Sequence, residues 1–321
     1  MIVSVLLFAV GLVLLIKGGD WFVDGATGIA RRFHLPDIVV GATVVSIGTT
    51  LPEVMVSATG AMLGQGAMAY GNAIGSIICN TALIAAISVA VNPGPVNTKS
   101  MKMPVIFFFL SAAIYCVAAY IMGEFTRPLG LILLTIFVVY MIITVRQGLK
   151  NPDQLEEEET ETKTRTFLQD LFWLVVGAAL IAVGADLLVD HGTIIARELG
   201  VPETVIALTF VALGTSLPEL VTTITSLRKG HASLGIGNVI GANVFNLVLV
   251  SGISVTLAPF EVPVGNLIFG RNASLVMDIP VMLTVMVLLT FPALASKKLH
   301  RWQGITLLCI YAAFCICQFA M

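Results

Sequence analysis

Two acidic residues, Glu53 and Glu219, occupy the same place in two copies of one motif. The first copy reads Gly48-Thr49-Thr50-Leu51-Pro52-Glu53, and the second, in the other half of the chain, reads Gly214-Thr215-Ser216-Leu217-Pro218-Glu219. Both lie in long apolar segments, where a carboxylate is costly and by default marks a functional site. Pro52 and Pro218 donate no backbone hydrogen bond and so free carbonyl oxygens near Gly48 and Gly214. Carbonyl, hydroxyl and carboxylate oxygens together predict a site for Ca²⁺ or Na⁺.

A stripe of polar side chains follows each motif. Asn72, Ser76 and Asn80 recur every four residues, which places them on one face of a helix. The second copy keeps Asn238 and Asn246 but has Ala242 in place of the hydroxyl. Taken alone, such a stripe is also explained by hydrogen bonds between membrane helices. Either glutamate, taken alone, is also explained as a protonated acid with a structural role. Their joint recurrence favours one shared cation site.

The composition predicts a polytopic membrane protein. The 321 residues are 57% hydrophobic and 11% charged, with a mean hydropathy of +0.98, whereas soluble domains carry roughly 25% charged residues. A net charge of −2 argues against a nucleic-acid partner. The five cysteines all lie in apolar segments and are interpreted as small hydrophobic residues without a metal or disulfide role. No cofactor and no obligatory protein partner are expected, so the partners are the lipid bilayer and the transported cations.

Apolar segments of spanning length predict an all-α fold of ten transmembrane helices. They lie near 2–29, 37–62, 70–91, 103–122, 129–146, 167–195, 204–227, 233–257, 273–295 and 302–320. The spacing that relates Glu53 to Glu219, the repeat offset, holds without a gap from Gly11 and Gly177 to Asn80 and Asn246. Since each half has an odd number of helices, the halves are inverted, as in many secondary transporters. We expect a first repeat at 1–146, an acidic cytoplasmic linker at 147–166 and a second repeat at 167–321.

The distribution of Lys and Arg predicts the orientation of these helices. Arg127, Arg197 and Arg271 are the three basic residues in loops on one side, whereas thirteen lie in loops on the other side, which is therefore cytoplasmic. The thirteen are Arg31, Arg32, Lys99, Lys102, Arg146, Lys150, Lys163, Arg165, Arg228, Lys229, Lys297, Lys298 and Arg301. Both termini then face outward. The apolar first segment lacks a cleavage site, and the short linker suits a prokaryotic inner membrane.

The paired motifs, each followed by Gly-Asn-x-Ile-Gly, resemble the α1 and α2 repeats of the cation/calcium exchanger superfamily, with the prokaryotic Na⁺/Ca²⁺ exchangers most similar. The resemblance covers nearly the whole chain and implies ten helices in inverted halves, with the first and sixth sliding as a gate. It implies that Ca²⁺ is held by Glu53, Glu219, Thr49 and Thr215, the threonines mainly through backbone carbonyls. It further implies one Na⁺ site at Ser46, Thr50 and Ser76, its mate at Ala212, Ser216 and position 242, and a central site bordered by Asn80 and Asn246.

Two positions depart from the sodium-coupled pattern of that superfamily. Position 242 is Ala rather than Ser, and position 246 is Asn rather than Asp, as in proton-coupled members. The leading hypothesis is a secondary antiporter that exports Ca²⁺ in exchange for Na⁺ by alternating access. A Ca²⁺/H⁺ antiporter of the same fold is the alternative, and a passive cation channel is a third. An enzyme is not expected, because no nucleophile–base pair, phosphate loop or Cys/His metal spacing is present.

Overall fold

The fold is a bundle of α-helices. A computed structural model describes residues 2–150, 166–200, 214–264, 267–268 and 270–320. Its helices are α1 (Ile2–Arg32), α2 (Asp37–Thr49), α3 (Leu51–Met62), α4 (Gly66–Val91), α5 (Thr98–Met122), α6 (Arg127–Lys150), α7 (Phe167–Glu198), α8 (Leu217–Arg228), α9 (Ala232–Leu257), α10 (Ser274–Ser296) and α11 (Arg301–Ala320). Two short antiparallel pairs join β1 (Glu124–Phe125) to β2 (Phe260–Glu261) and β3 (Leu267–Ile268) to β4 (Arg271–Asn272).

The described helices agree with the sequence prediction within three residues at most ends, with three larger differences. Helix α4 begins at Gly66 rather than at 70. Helix α6 continues to Lys150 rather than ending at 146, and at Gly148 its backbone lies close to the side chains of Val39 and Leu35. Helix α5 begins at Thr98 rather than at 103, since the side chain of Asn97 accepts a hydrogen bond from the Ser100 amide and caps the first turn. Residues 201–213, which include most of the predicted seventh helix before its motif, lie outside the described residues.

The chain is an integral membrane protein. Seven described helices are long and apolar enough to cross a membrane, and the bent pair α2–α3 makes an eighth if it is one span. The most apolar stretches of α4 and α9 are 72% and 83% buried, against 22–28% for α1, α6 and α7. Helices α4 and α9, which carry the two polar stripes, therefore form the centre of the bundle, and the outer helices turn apolar side chains to lipid.

Helices α1 and α7 pack antiparallel through glycines. A Cβ atom at Gly11 would lie 2.9 Å from the carbonyl oxygen of Gly184, and one at Gly18 would lie 3.0 Å from that of Gly177. Gly11 and Gly177 are equivalent positions of the two halves, as are Gly18 and Gly184. Each contact is thus the counterpart of the other with the halves exchanged. Small residues at such contacts let the backbones of membrane helices approach closely.

Candidate cation site

Glu53 and Glu219 meet at the centre of the bundle. Both side chains have no exposed surface, and they are close enough to interact electrostatically. None of their four carboxylate oxygens has a hydrogen-bond partner among the described residues, and no described Lys, Arg or His forms an ion pair with either. Buried polar oxygens normally have a partner. Two buried carboxyl groups without described partners at one place are therefore a candidate cation site.

The motif places each glutamate in the first turn of a helix. Helix α3 begins after Thr50, and α8 begins after Ser216, with a proline in the first turn of both. The backbone angles of Thr50 (φ −86°, ψ −1°) and Ser216 (φ −90°, ψ 2°) are nearly equal. Neither hydroxyl caps its helix, and both are buried without a described partner. The axes of α2 and α3 differ by 47° at this break, as the proline predicted.

Two equivalent hydrogen bonds join the halves of the chain at this site. The Thr49 hydroxyl donates to Asn238 Oδ1 at 3.1 Å, and the Thr215 hydroxyl donates to Asn72 Oδ1 at 3.3 Å. The repeat offset relates both the two threonines and the two asparagines. The same contact is therefore made twice with the halves exchanged. It uses the proton of each threonine hydroxyl, while the hydroxyl oxygens and the backbone carbonyls of Thr49 and Thr215 keep lone pairs.

The sequence-predicted stripes supply the remaining amide groups. Asn80 and Asn246 are fully buried, and none of their side-chain nitrogen and oxygen atoms has a described hydrogen-bond partner. Each begins a turn of π-helix, Asn80–Ala85 in α4 and Asn246–Val250 in α9. Such turns often occur at functional sites because they leave carbonyls outside the regular ladder. The two halves thus share not only the asparagine but also the π-helical turn that it begins.

The residues expected to hold Na⁺ fall into three groups. Thr50, Ser76 and Ser216 are buried polar residues on the central helices. The Ser46 hydroxyl is engaged, donating to Gly41 O at 2.8 Å and to Asn238 O at 3.0 Å, while its carbonyl accepts the Thr50 amide at 3.0 Å. Ala212 lies outside the described residues. Position 242 is a fully buried alanine, so the second half lacks one oxygen that the first half has.

The family model for sodium/calcium exchanger proteins matches residues 3–146 and 170–320, which is nearly the whole chain. The chain belongs to the sodium/calcium exchanger family. It is 29% identical to sodium/calcium exchanger MaX1 of Methanosarcina acetivorans, with 99% of both chains covered. It is 33% identical to the putative antiporter CaxA of Alkalimonas amylolytica, with 98% of both covered.

A solved structure of the sodium-calcium exchanger NCX_Mj, soaked with Na⁺ and without Ca²⁺, is similar over 97% of each chain. The TM-score is 0.79 and the sequence identity 31%. The whole bundle of this chain, including the central helices that carry the polar stripes, therefore corresponds to an exchanger fold. Membership of the sodium/calcium exchanger family, which the paired motifs predicted, is confirmed.

The structure of this exchanger-family chain also places polar residues near the site that the motif did not indicate. On α3, Ser57 is fully buried and accepts a hydrogen bond from Asn72 Nδ2 at 2.8 Å. On α8, the buried hydroxyls of Thr222, Thr223 and Ser226 have no described partner. Their spacing of three, four and seven residues from Glu219 was visible in the sequence as one helix face. That spacing was the signal that could have identified them.

Proposed function

We propose that the protein exchanges Ca²⁺ for Na⁺ at a single site shared by its two halves. The observation that carries this proposal is the pair of buried glutamates without described partners, framed by the exchanged contacts of Thr49 with Asn238 and Thr215 with Asn72. Relatives named as sodium/calcium exchangers over the full length support it.

Charge supports the choice of ions. Two ionised carboxylates carry −2, which one Ca²⁺ or two Na⁺ neutralise. Because neither ion set leaves a net charge in the centre of the bundle, both make occlusion across a membrane tolerable. The other donors are hydroxyl, amide and carbonyl oxygens, which suit the flexible coordination of Ca²⁺ better than the rigid octahedron of Mg²⁺. Competition for one pair of acids is the physical basis of exchange.

We propose an architecture of ten helices in two inverted five-helix repeats, joined by an acidic linker that starts after Lys150, at the end of α6, rather than at 147 as predicted, and ends at 166. In this scheme α2 and α3 form the second helix, and α8 is the second part of the seventh. The antiparallel glycine contacts between α1 and α7 support a pair of gating helices, since contacts without side chains let one backbone slide along its neighbour. Sliding would open the site to each side in turn, which is alternating access.

The proposed orientation follows the basic residues. Thirteen of the sixteen Lys and Arg residues in the predicted loops lie on one side, which places the linker and the end of α8 in the cytoplasm and both termini outside. In a prokaryotic inner membrane the inward Na⁺ gradient would then drive Ca²⁺ out of the cell.

Ca²⁺ uptake into proteoliposomes under an imposed ion gradient tests this function. We expect an outward Na⁺ gradient to drive uptake and a pH gradient alone to drive none. The Ca²⁺/H⁺ alternative has specific support in the second half. Relative to the sodium-coupled pattern, Ala242 lacks a hydroxyl oxygen and Asn246 lacks a negative charge. Uptake driven by pH alone would establish that alternative, and Ca²⁺ flux that depends on neither gradient would indicate a channel.

The two glutamates provide the matched variants for this assay. Glu53→Gln and Glu219→Gln keep the size of each side chain and remove its charge, so each is expected to abolish Ca²⁺ uptake. Glu124→Gln, at an exposed position on the short strand β1, serves as the control and should transport like the unaltered protein. Retained uptake in both site variants would refute the assignment of the site.

A further inference from the structure

Helix α8 carries a row of buried hydroxyls on the face that bears Glu219. Thr222 and Ser226 have no exposed surface, and Thr223 is 1% exposed. None of the three hydroxyl oxygens has a hydrogen-bond partner among the described residues. At three, four and seven residues beyond Glu219, they lie on one side of the helix. The row therefore continues the oxygen lining of the cation site toward the end of α8.

These hydroxyls differ from many Ser and Thr side chains in the same bundle, although the buried hydroxyls of Ser111 and Thr144 also lack a described partner. Hydroxyls in membrane helices commonly donate to the carbonyl four residues earlier, and eight described side chains here do so. They are Thr27, Thr43, Thr135, Ser254, Thr256, Thr284, Thr290 and Ser296, at 2.6–2.9 Å. The three hydroxyls of the row make no such bond and also accept none from a described residue, so both their protons and their lone pairs are unused.

The row has no equivalent on the matching helix of the first half. By the repeat offset, Thr222 corresponds to Val56 and Ser226 to Gly60. Only Thr223 has a matching hydroxyl, Ser57, and that hydroxyl already accepts a hydrogen bond from Asn72. The two halves therefore share the cation site but differ on one side of it.

The row leads toward the surface of the bundle. From Glu219 to Ser226 the helix rises by about 10 Å, and its last residue, Arg228, is exposed. Lys229, which follows, is held against Asp24 on α1 at 2.6 Å, away from the row. Helix α8 packs against α4 and α9. At the same end of the bundle, the end of α4 and the start of α9 help to line a cavity of about 210 Å³ that no residue of α8 reaches; its lining is mostly apolar and includes Ser88, Asn92 and Ser233.

From these observations we infer that α8 provides a hydrated cation path between Glu219 and the side of the membrane that its C-terminus faces. The inference rests on the proposed function and adds the route by which the ion enters or leaves. Thr222 and Ser226 would each replace a water ligand of a partly hydrated Na⁺ or Ca²⁺, as oxygen-lined pores do. Because the matching positions of α3 are apolar or lack a side chain, the opposite route has no such row.

Side-specific transport kinetics test the path. Thr222→Val copies the residue of the matching position, and Ser226→Ala removes the second oxygen. Each is expected to raise the Ca²⁺ concentration for half-maximal transport by about fivefold from the side that the end of α8 faces, which corresponds to one hydrogen bond of ordinary strength. The value from the other side should stay within about twofold. Thr222→Ser keeps the oxygen and should restore the original value.

The control is Thr290→Val, which removes a fully buried hydroxyl that donates to the carbonyl of Met286 on α10. Equal changes from both sides, or a change with Thr290→Val as large as with Thr222→Val, would show a general packing effect and overturn the inference. No change in either kinetic value with Thr222→Val and Ser226→Ala would also overturn it.

Cysteine accessibility tests the path without any assumption about the transported ion. Thr222→Cys, Ser226→Cys and Thr290→Cys are each made in a chain without the five native cysteines. Each variant is treated with a membrane-impermeant thiol reagent from either side. We expect labelling at 222 and 226 only from the side of the α8 C-terminus, and none at 290. Absence of labelling at 222 and 226 in folded protein would refute a hydrated path even if Ca²⁺ exchange itself is confirmed. Labelling without exchange would refute the proposed function alone.

Discussion

An ion pair at the end of α8 ties that helix to α1. Lys229 Nζ lies 2.6 Å from Asp24 Oδ1 and 3.8 Å from Asp20 Oδ1, and it donates to the Asp20 carbonyl at 2.8 Å. If α1 slides as a gate, these contacts must break before the site opens on this side. Lys229→Gln is therefore expected to favour the state that is open toward the α8 C-terminus.

The opposite end of the bundle lacks the equivalent lysine. The repeat offset relates Asp20 and Asp24 to Asp186 and Asp190 on α7, but it relates Lys229 to Leu63. A repeat alone would produce the same tie on both sides. Since Lys229 has no counterpart at the equivalent position of the other half, removing it should shift the balance between the two open states rather than weaken both.

The magnitude follows from the exposure of the ion pair. The side chains of Lys229, Asp20 and Asp24 are 27%, 30% and 37% exposed, so solvent screens much of their attraction. Partly exposed pairs of this kind contribute about 0.5–1 kcal/mol. That free energy corresponds to a shift of about two- to fivefold between the two states.

Half-maximal Ca²⁺ concentrations measured separately from each side report this shift. Where the competent state is a minor one, apparent affinity rises in proportion to its population. Lys229→Gln should therefore lower the half-maximal concentration about two- to fivefold from the side of the α8 C-terminus and leave or raise it from the other side. High salt should reduce the difference between the variant and the unaltered protein.

The neighbouring Arg228 is exposed and gives a matched control with the same change of charge. Arg228→Gln should leave both half-maximal concentrations unchanged. If Lys229→Gln changes the two sides equally, or behaves like Arg228→Gln, then the ion pair does not bias the gate and the reasoning is refuted.

Two further predictions concern packing and the counter-ion. Gly18→Ala would place a Cβ atom 2.9 Å from the backbone nitrogen of Ile181 on α7, so we expect the free energy of unfolding, measured by thermal denaturation, to fall by about 1–3 kcal/mol. Gly94→Ala is the control, because a Cβ atom there would meet open space. Equal stability of the two variants would contradict the close contact. Ala242→Ser adds the hydroxyl that the second half lacks. It should lower the Na⁺ concentration for half-maximal Ca²⁺ exchange by about two- to tenfold. An unchanged Na⁺ dependence would show that position 242 does not contact the counter-ion.

Much of the fold could be predicted from the sequence because membrane helices require long apolar segments and because the chain repeats its motif. Glu53, Glu219 and the break beside Pro52 follow from the cost of a buried carboxylate and from the missing amide of proline. The predicted end of α6, at 146, was wrong, because the helix continues to Lys150. Hydropathy marks where apolar residues stop, whereas the backbone hydrogen bonds of a helix can continue through the polar residues that follow.

The contacts across the halves could not be predicted from residue spacing. The repeat offset relates Thr49 to Thr215 and Asn72 to Asn238, but it does not state that each threonine bonds the asparagine of the other half. That pairing depends on how the inverted halves dock in space. The Lys229 contact was missed for the same reason, since the acids on α1 and the lysine lie in different halves of the chain.

Equilibrium Ca²⁺ binding to the purified protein tests the central claim most directly, that Glu53 and Glu219 form one shared site. Binding is measured for Glu53→Gln, for Glu219→Gln and for the double variant. The account predicts that either single change abolishes binding of the ion and that the second change adds nothing further. Two independent losses, each removing a separate part of the bound Ca²⁺, would contradict it.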